Sequence, residues 1–266
     1  MITTIIINNQ SELNLVSVDF AGKVNIIGNI DILNKAYDKA AIYVSGKATI
    51  REVSGKAVIK RVSGTAKIGM LSGNTIIKKV ADEAIIDNVA GSAIVERVAG
   101  LATINNINGS ARINNIYGNS IIGAVSDSAS IGKIYDKAEI KIVSDSVTID
   151  YIYDEAIIRE VSDSVVINEV YGKVVINEVY DDAVIYNMHG NARVKEFYNN
   201  ATINNIYGSA IINNASDSAI IQRAAGASKV ERASSLVTVL NVYDSGTFNR
   251  VSDAVVQKII ASNKKI

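Results

Sequence analysis

The sequence predicts an all-β fold, a single-stranded parallel β-solenoid or β-helix, and three observations predict it. From Gly46 to Ser252 the chain repeats every nine residues, 23 times, with no insertion or deletion, and a fixed short period is the signature of a solenoid. Each unit carries Gly or Asp first, Ala or Val third, Ile or Val fifth, Val or Ile eighth, and Ser, Tyr or Ala ninth. Gly55-Lys56-Ala57-Val58-Ile59-Lys60-Arg61-Val62-Ser63 is one such unit. No proline occurs in the 266 residues, so no hydrogen-bond ladder loses a backbone donor.

Residues 1–45 read as an N-terminal cap with degenerate first coils. Ser11 to Val16 is expected to form a short helix. Gly22-Lys23-Val24-Asn25-Ile26 and Asp38-Lys39-Ala40-Ala41-Ile42 carry the pattern one or two residues out of register. Open backbone groups at the end of a coil stack make such a cap physically necessary.

Residues 46–252 read as the solenoid proper. Ala57 and Ile59 stand two apart, which is strand alternation. Ile59 and Val62 stand three apart, so the chain bends between them to aim both inward. A second corner runs through Ser63, Gly64 and Thr65. The ninth position alternates Tyr117, Ser126, Tyr135, Ser144, Tyr153, Ser162, Tyr171, and the next position alternates between Gly and Asp. The true period is therefore eighteen, two nonapeptides to a coil, giving about 11–12 coils and a length of roughly 55 Å at a strand spacing near 4.8 Å. A 27-residue triangular coil is the alternative, and the Tyr/Ser alternation opposes it. Residues 253–266 lose the repeat and end in Lys264-Lys265, a second cap.

Composition excludes several function classes. There is no cysteine, hence no disulfide and no thiolate metal site. The N-terminus lacks a signal-peptide layout and no stretch is long and apolar enough to span a bilayer, so a cytoplasmic protein without membrane contact is expected. Formal net charge is zero, which opposes nucleic-acid binding. Charge is nevertheless segregated. Gly46 to Val80 holds eight Lys or Arg and one Glu, and Asp127 to Asp182 holds thirteen acids and five bases.

Stacking turns each repeat position into a column of side chains. Tyr117, Tyr135, Tyr153, Tyr171, His189 and Tyr207, with Tyr243 beyond, form an aromatic ladder, read as structural or as a contact surface. Asp127, Asp145, Asp163, Asp181, Asn199, Asp217 and Asp253 form a turn column in which carboxylates accept N–H bonds from their own corner. Calcium is the sharper reading of that column, but the glycine-rich unit of calcium-binding rolls is missing. The pairs Asn105-Asn106, Asn114-Asn115, Asn204-Asn205 and Asn213-Asn214 read as corners in left-handed backbone.

Arg61, Lys79 and Arg97 share a basic column, and Glu160, Glu178 and Glu196 an acidic one. These are either solvated or complementary to a partner. At the strand centre an outward column includes Val58, Ile76, Ile94, Thr148, Val166, Val184 and Ile220, many of them β-branched. Exposed, it would form a flat interaction strip suited to a side-by-side homodimer; covered, it is sheet packing. Ice binding is disfavoured because the threonines fall irregularly.

Catalysis finds little to work with. His189 is the only histidine, no cysteine exists, and carboxylates at every rung form no unique pair. Equal-length units supply no inserted loops to build a cleft. No enzyme activity and no cofactor are expected.

Ile7-Asn8-Asn9-Gln10-Ser11-Glu12-Leu13, then Asp19-Phe20-Ala21-Gly22-Lys23-Val24-Asn25-Ile26 and the repeats behind them, resemble uncharacterised repeat proteins of Firmicutes and their phages. Those proteins place a short N-terminal segment before many β-solenoid repeats. The resemblance implies a phage or mobile-element setting and carries over no functional residue. The resulting expectation is a scaffold that binds protein, either itself or a host protein that it inhibits. The alternatives are a structural component, such as a virion fibre segment or cytoskeletal polymer, and a calcium-binding roll.

Overall fold

A computed structural model of the chain describes residues 3–35, 39–234, 236–243 and 245–251. Asp38, Ser235, Ser252, Asp253 and the expected C-terminal cap at 253–266 lie outside the described residues. The fold is a parallel β-solenoid: among the described residues, 26 short strands and one short helix follow in chain order, two strands to a coil, about 13 coils. The chain divides into two compact units, Met1–Gly132 and Lys133–Ile266.

The Met1–Gly132 unit opens with β1 (Thr4–Asn9), α1 (Gln10–Asn14), β2 (Lys23–Leu33) and β3 (Ala41–Val44). The helix starts one residue before the sequence suggests and stops two sooner. Its start is fixed by the Asn9 side chain, which accepts Glu12 N–H at 3.0 Å, while Glu12 Oε2 accepts Asn8 N–H at 2.7 Å. This is the reciprocal bonding of a capping box, shifted by one residue. The irregular spacing of the first strands is real. Thr4 pairs with Lys23, Lys23 with Ala41, and Asn29 with Thr49, offsets of 19, 18 and 20 residues. The register slips between Ile7 and Asn9, and opposite it a β-carbon on Gly28 would stand 1.9 Å from the Asn8 carbonyl oxygen.

From β4 (Thr49–Val53) onward the pairing settles to an offset of eighteen. Thr49 pairs with Lys67, Lys67 with Ile85, and Thr103 with Ile121. The Lys133–Ile266 unit keeps the same offset, from Glu139 with Ile157 to Lys229 with Thr247. The two-nonapeptide coil is therefore correct, and the 27-residue alternative is not.

Side chains explain why each half-coil bends where it does. Ala57, Ile59 and Val62 are fully buried, as are their equivalents Val165, Ile167 and Val170. Lys60 and Arg61 lie between two inward residues and both point out, so the first bend occurs inside the five-residue strand Val58–Val62. The second bend is a four-residue turn closed by Ala66 N–H to Ser63 O at 3.4 Å. Its second residue is left-handed: Gly64 has φ of 68° and Asp163 has φ of 54°. Gly and Asp head the repeat because they are among the residues that enter this region most readily. The Asn pairs do not occupy it. Asn105-Asn106 lies within Thr103–Ile107 and Asn204-Asn205 within Thr202–Ile206, at the in-strand bend, without positive φ. A few polar residues take the inward Ala slot. Ser120 Oγ donates to Tyr117 O at 2.8 Å, whereas Thr75 Oγ1 and Ser228 Oγ have no partner among the described residues.

Candidate functional surface

With the interior filled by Ala, Val and Ile, the outward columns carry all the chemistry. In the Met1–Gly132 unit, Val58, Ile76 and Ile94 align in register and lead to Arg112. In the Lys133–Ile266 unit, Thr148, Val166, Val184, Thr202, Ile220 and Thr238 align, six successive coils without a charge. These side chains are half-buried, not fully exposed as a flat strip would require. Val166, Val184, Thr202 and Ile220 are each flanked by a column neighbour on both sides. The other face of the same unit is different. Its column runs Glu139, Ile157, Val175, Arg193, Ile211, Lys229, so that charges interrupt it.

The turn column solves its own repulsion. Asp82, Asp127, Asp154 and Asp163 accept backbone N–H from the corner one coil earlier rather than from their own, while Asp163 and Asp217 also accept the serine hydroxyl of their own corner. Asp82 Oδ2 accepts Gly64 N–H at 3.1 Å, Asp154 Oδ2 accepts Asp136 N–H at 3.1 Å, and Asp163 Oδ2 accepts Asp145 N–H at 3.1 Å. The Gly64 N–H, followed by the Arg61 guanidinium, holds the Asp82 carboxyl below its ordinary range. Asn199 replaces one charge and donates to Asp181 Oδ1 at 3.0 Å. Asp163, Asp181, Asp182, Asn199, Asn200 and Asp217 line an open acidic trough of about 650 Å³. Among the described residues, however, no group of three His, Asp or Glu side chains could hold a metal ion.

Arg61 of the basic column and the whole acidic column are hydrogen-bonded rather than bare. Arg61 meets Asp82 at 3.3 Å, and Lys78 pairs with Glu96. In the acidic column, Glu178 accepts the Tyr198 hydroxyl at 3.2 Å, Glu160 accepts that of Tyr180, and Glu196 accepts Asn214 Nδ2 at 2.6 Å. These neutral donors come from the next coil. Tyr180 and Tyr198 also stack on each other, ring centroids 5.1 Å apart, a second aromatic pair that the Tyr/Ser alternation concealed. The signal was present, because Tyr180 breaks that alternation one coil before Tyr198.

The main aromatic ladder forms as expected in the Lys133–Ile266 unit. Tyr135, Tyr153, Tyr171, His189 and Tyr207 stack in succession at 5.0, 5.4, 4.7 and 5.0 Å. Tyr243 lies beyond it under the Arg223 guanidinium at 4.7 Å. His189 occupies a tyrosine slot with Nε2 3.3 Å from Glu169 Oε2. Hydrogen bonding to Glu169, then burial, pushes the Tyr171 phenol up to about 12. Bonding to Glu160 does the same for Tyr180, and burial followed by Glu178 for Tyr198, each to about 12. These phenols therefore remain neutral donors near neutral pH, where they orient carboxylates and stiffen two corners.

Comparison with protein-family models, with curated proteins and with solved structures finds no match to this chain. Among the described residues no helix is long and apolar enough to cross a membrane.

Proposed function

We propose that this chain is a non-enzymatic binding scaffold whose contact surface is the charge-free face of the Lys133–Ile266 unit, and that a second copy is its first partner. One observation carries the proposal: Thr148, Val166, Val184, Thr202, Ile220 and Thr238 stand in register and uncharged, while the opposite face is interrupted by Glu139, Arg193 and Lys229. A charge-free column framed by polar corners is suited to side-by-side contact, and a two-fold pair would bury both copies of it at once. The Glu160 column of the same unit then supplies rim charges that set orientation more than affinity.

The resemblance in layout to phage-borne repeat proteins extends this reading to a host protein that the same face binds and inhibits. The structural-component reading is the second one, and it predicts fibres or trimers under the electron microscope. Light scattering separates the cases. At matched concentrations, Val166→Lys with Thr202→Lys halves the mass of the intact chain while leaving its thermal melt in place. If the lysine variant keeps the mass of the unaltered chain, the face is not the contact surface.

A further inference from the structure

The first coil of the Met1–Gly132 unit is closed on one half and open on the other. On the closed half, Gln10 of α1 turns its Oε1 onto the edge of β2, accepting Asp31 N–H at 3.0 Å and Ile32 N–H at 2.9 Å. The open half ends in β1, whose only ladder partner among the described residues is β2. Lys23 N donates to Thr3 O at 2.9 Å. In a parallel ladder this points the amides and carbonyls of Thr4 and Ile6 to the outer edge.

Apolar surface lies beside that edge. Leu15 is 87% exposed, Ile6 55% and Val18 49%. A cleft of about 560 Å³ runs among Ile5, Ile7, Val16 and Phe20, with Glu12 and Asp19 on its wall. Glu12 and Asp19 are the charged side chains between Thr3 and Gly22, so the charge here is negative. An uncharged, proline-free edge next to apolar surface is a template for another strand.

The chain itself contains a segment of matching chemistry. Fifteen residues, Ser252 to Ile266, lie outside the described structure. Although the strict repeat ends at Ser252, Asp253-Ala254-Val255-Val256-Gln257-Lys258-Ile259-Ile260-Ala261 keeps the nonapeptide's residue types at every patterned position except the fifth, where Gln257 replaces Ile or Val. After Asp253 the segment holds Lys258, Lys264 and Lys265 and no acid. Its charge is thus opposite to that of the N-terminal cleft.

We infer that the C-terminal segment of one copy adds as the next parallel strand on the open β1 edge of a second copy. Its backbone meets the outward groups of Thr4 and Ile6, its isoleucines cover Ile6 and Leu15, and its lysines face Glu12 and Asp19. The contact is heterologous, so it leaves a free end on each copy and grows with concentration. It does not depend on the face contact proposed above.

The absence of cysteine makes the test clean. Leu15→Cys and Ile260→Cys are made in separate chains, mixed and oxidised. Cross-links between unlike chains form about tenfold faster than between like chains, as expected when a docked segment raises the local thiol concentration. Lys264→Glu with Lys265→Glu slows them. Three results overturn the inference: Leu15→Cys chains joining each other fastest, a double-cysteine chain closing on itself as a monomer, or no cross-link above background. Leu15 is solvent-exposed, so an unchanged circular-dichroism melt confirms that the fold survives the substitution.

Discussion

At a φ near +60°, a β-carbon crowds the backbone, and this turn recurs every nine residues. Among the described residues, nine positions meet it with Asp or Asn and twelve with Gly. At Asp163 the carboxylate offsets the crowding by accepting Asp145 N–H and the Ser162 hydroxyl, the latter at 3.2 Å. Asp163→Ala keeps the β-carbon and loses both bonds, so it is expected to cost about 1–2 kcal/mol. Asp163→Gly removes the crowding and recovers part of that loss. Urea unfolding of the two variants measures the order, and an alanine variant as stable as the glycine variant would refute it. The tyrosines give a second residue-level expectation. Tyr171, Tyr180 and Tyr198 are raised to about 12 from an ordinary value of 10.0. A raised folded value means that the neutral phenol stabilises the fold in full below pH 10. That contribution is lost as pH climbs through 12. Ultraviolet titration should show these three phenols ionising late, with Tyr153 also raised by burial, and Glu178→Gln should move Tyr198 earlier. The sequence placed Tyr171 in its ladder but missed the Tyr180–Tyr198 pair, and it assigned left-handed backbone to the Asn pairs. Asn and Asp share that local preference, and each nonapeptide contains two bends, so composition alone does not say which bend is left-handed.

Each half-coil is specified by three inward positions and by two kinds of contact to the next coil. One kind is the eighteen-residue register. The other is a diagonal of twenty residues, which brings Arg51 to Asp31, Arg159 to Glu139 and Tyr198 to Glu178. The columns at eighteen were legible because they repeat residue types. The diagonals were not, because they join unlike residues and become visible only once the bend is placed. Deleting Asp145–Ser162 removes one coil and sets Tyr135 beneath Tyr171, so the aromatic ladder continues. Deleting Asp145–Tyr153 sets Tyr135 beneath Ser162 and interrupts it, with about 0.5–1.5 kcal/mol lost for each broken stack. The shorter deletion is therefore expected to lower the melting temperature more than the longer one. One residue inserted between Ile167 and Asn168 should be worse than either, because it turns the following inward side chain outward.

Across the whole molecule, formal charge sums to zero while basic and acidic ladders fall at different places in the chain. The two faces of the Lys133–Ile266 unit differ in the same sense, one free of charge and the other interrupted. These differences exist because the repeat is eighteen residues long; at nine, both faces would carry the same side chains. The architecture was legible from spacing alone. The N-terminal edge was not, since its open half depends on where α1 lands and on Gln10 reaching β2. Everything proposed for the surface rests on the eighteen-residue coil, which a pair of cysteines can test in solution. Adjacent strands lie about 4.8 Å apart, within the reach of a disulfide. Val166→Cys with Val184→Cys, eighteen apart, should lock within one chain under mild oxidation, whereas Val166→Cys with Val175→Cys should stay reduced. Locking of the nine-residue pair, or of Val166→Cys with Arg193→Cys at twenty-seven, would contradict the coil and the columns built on it.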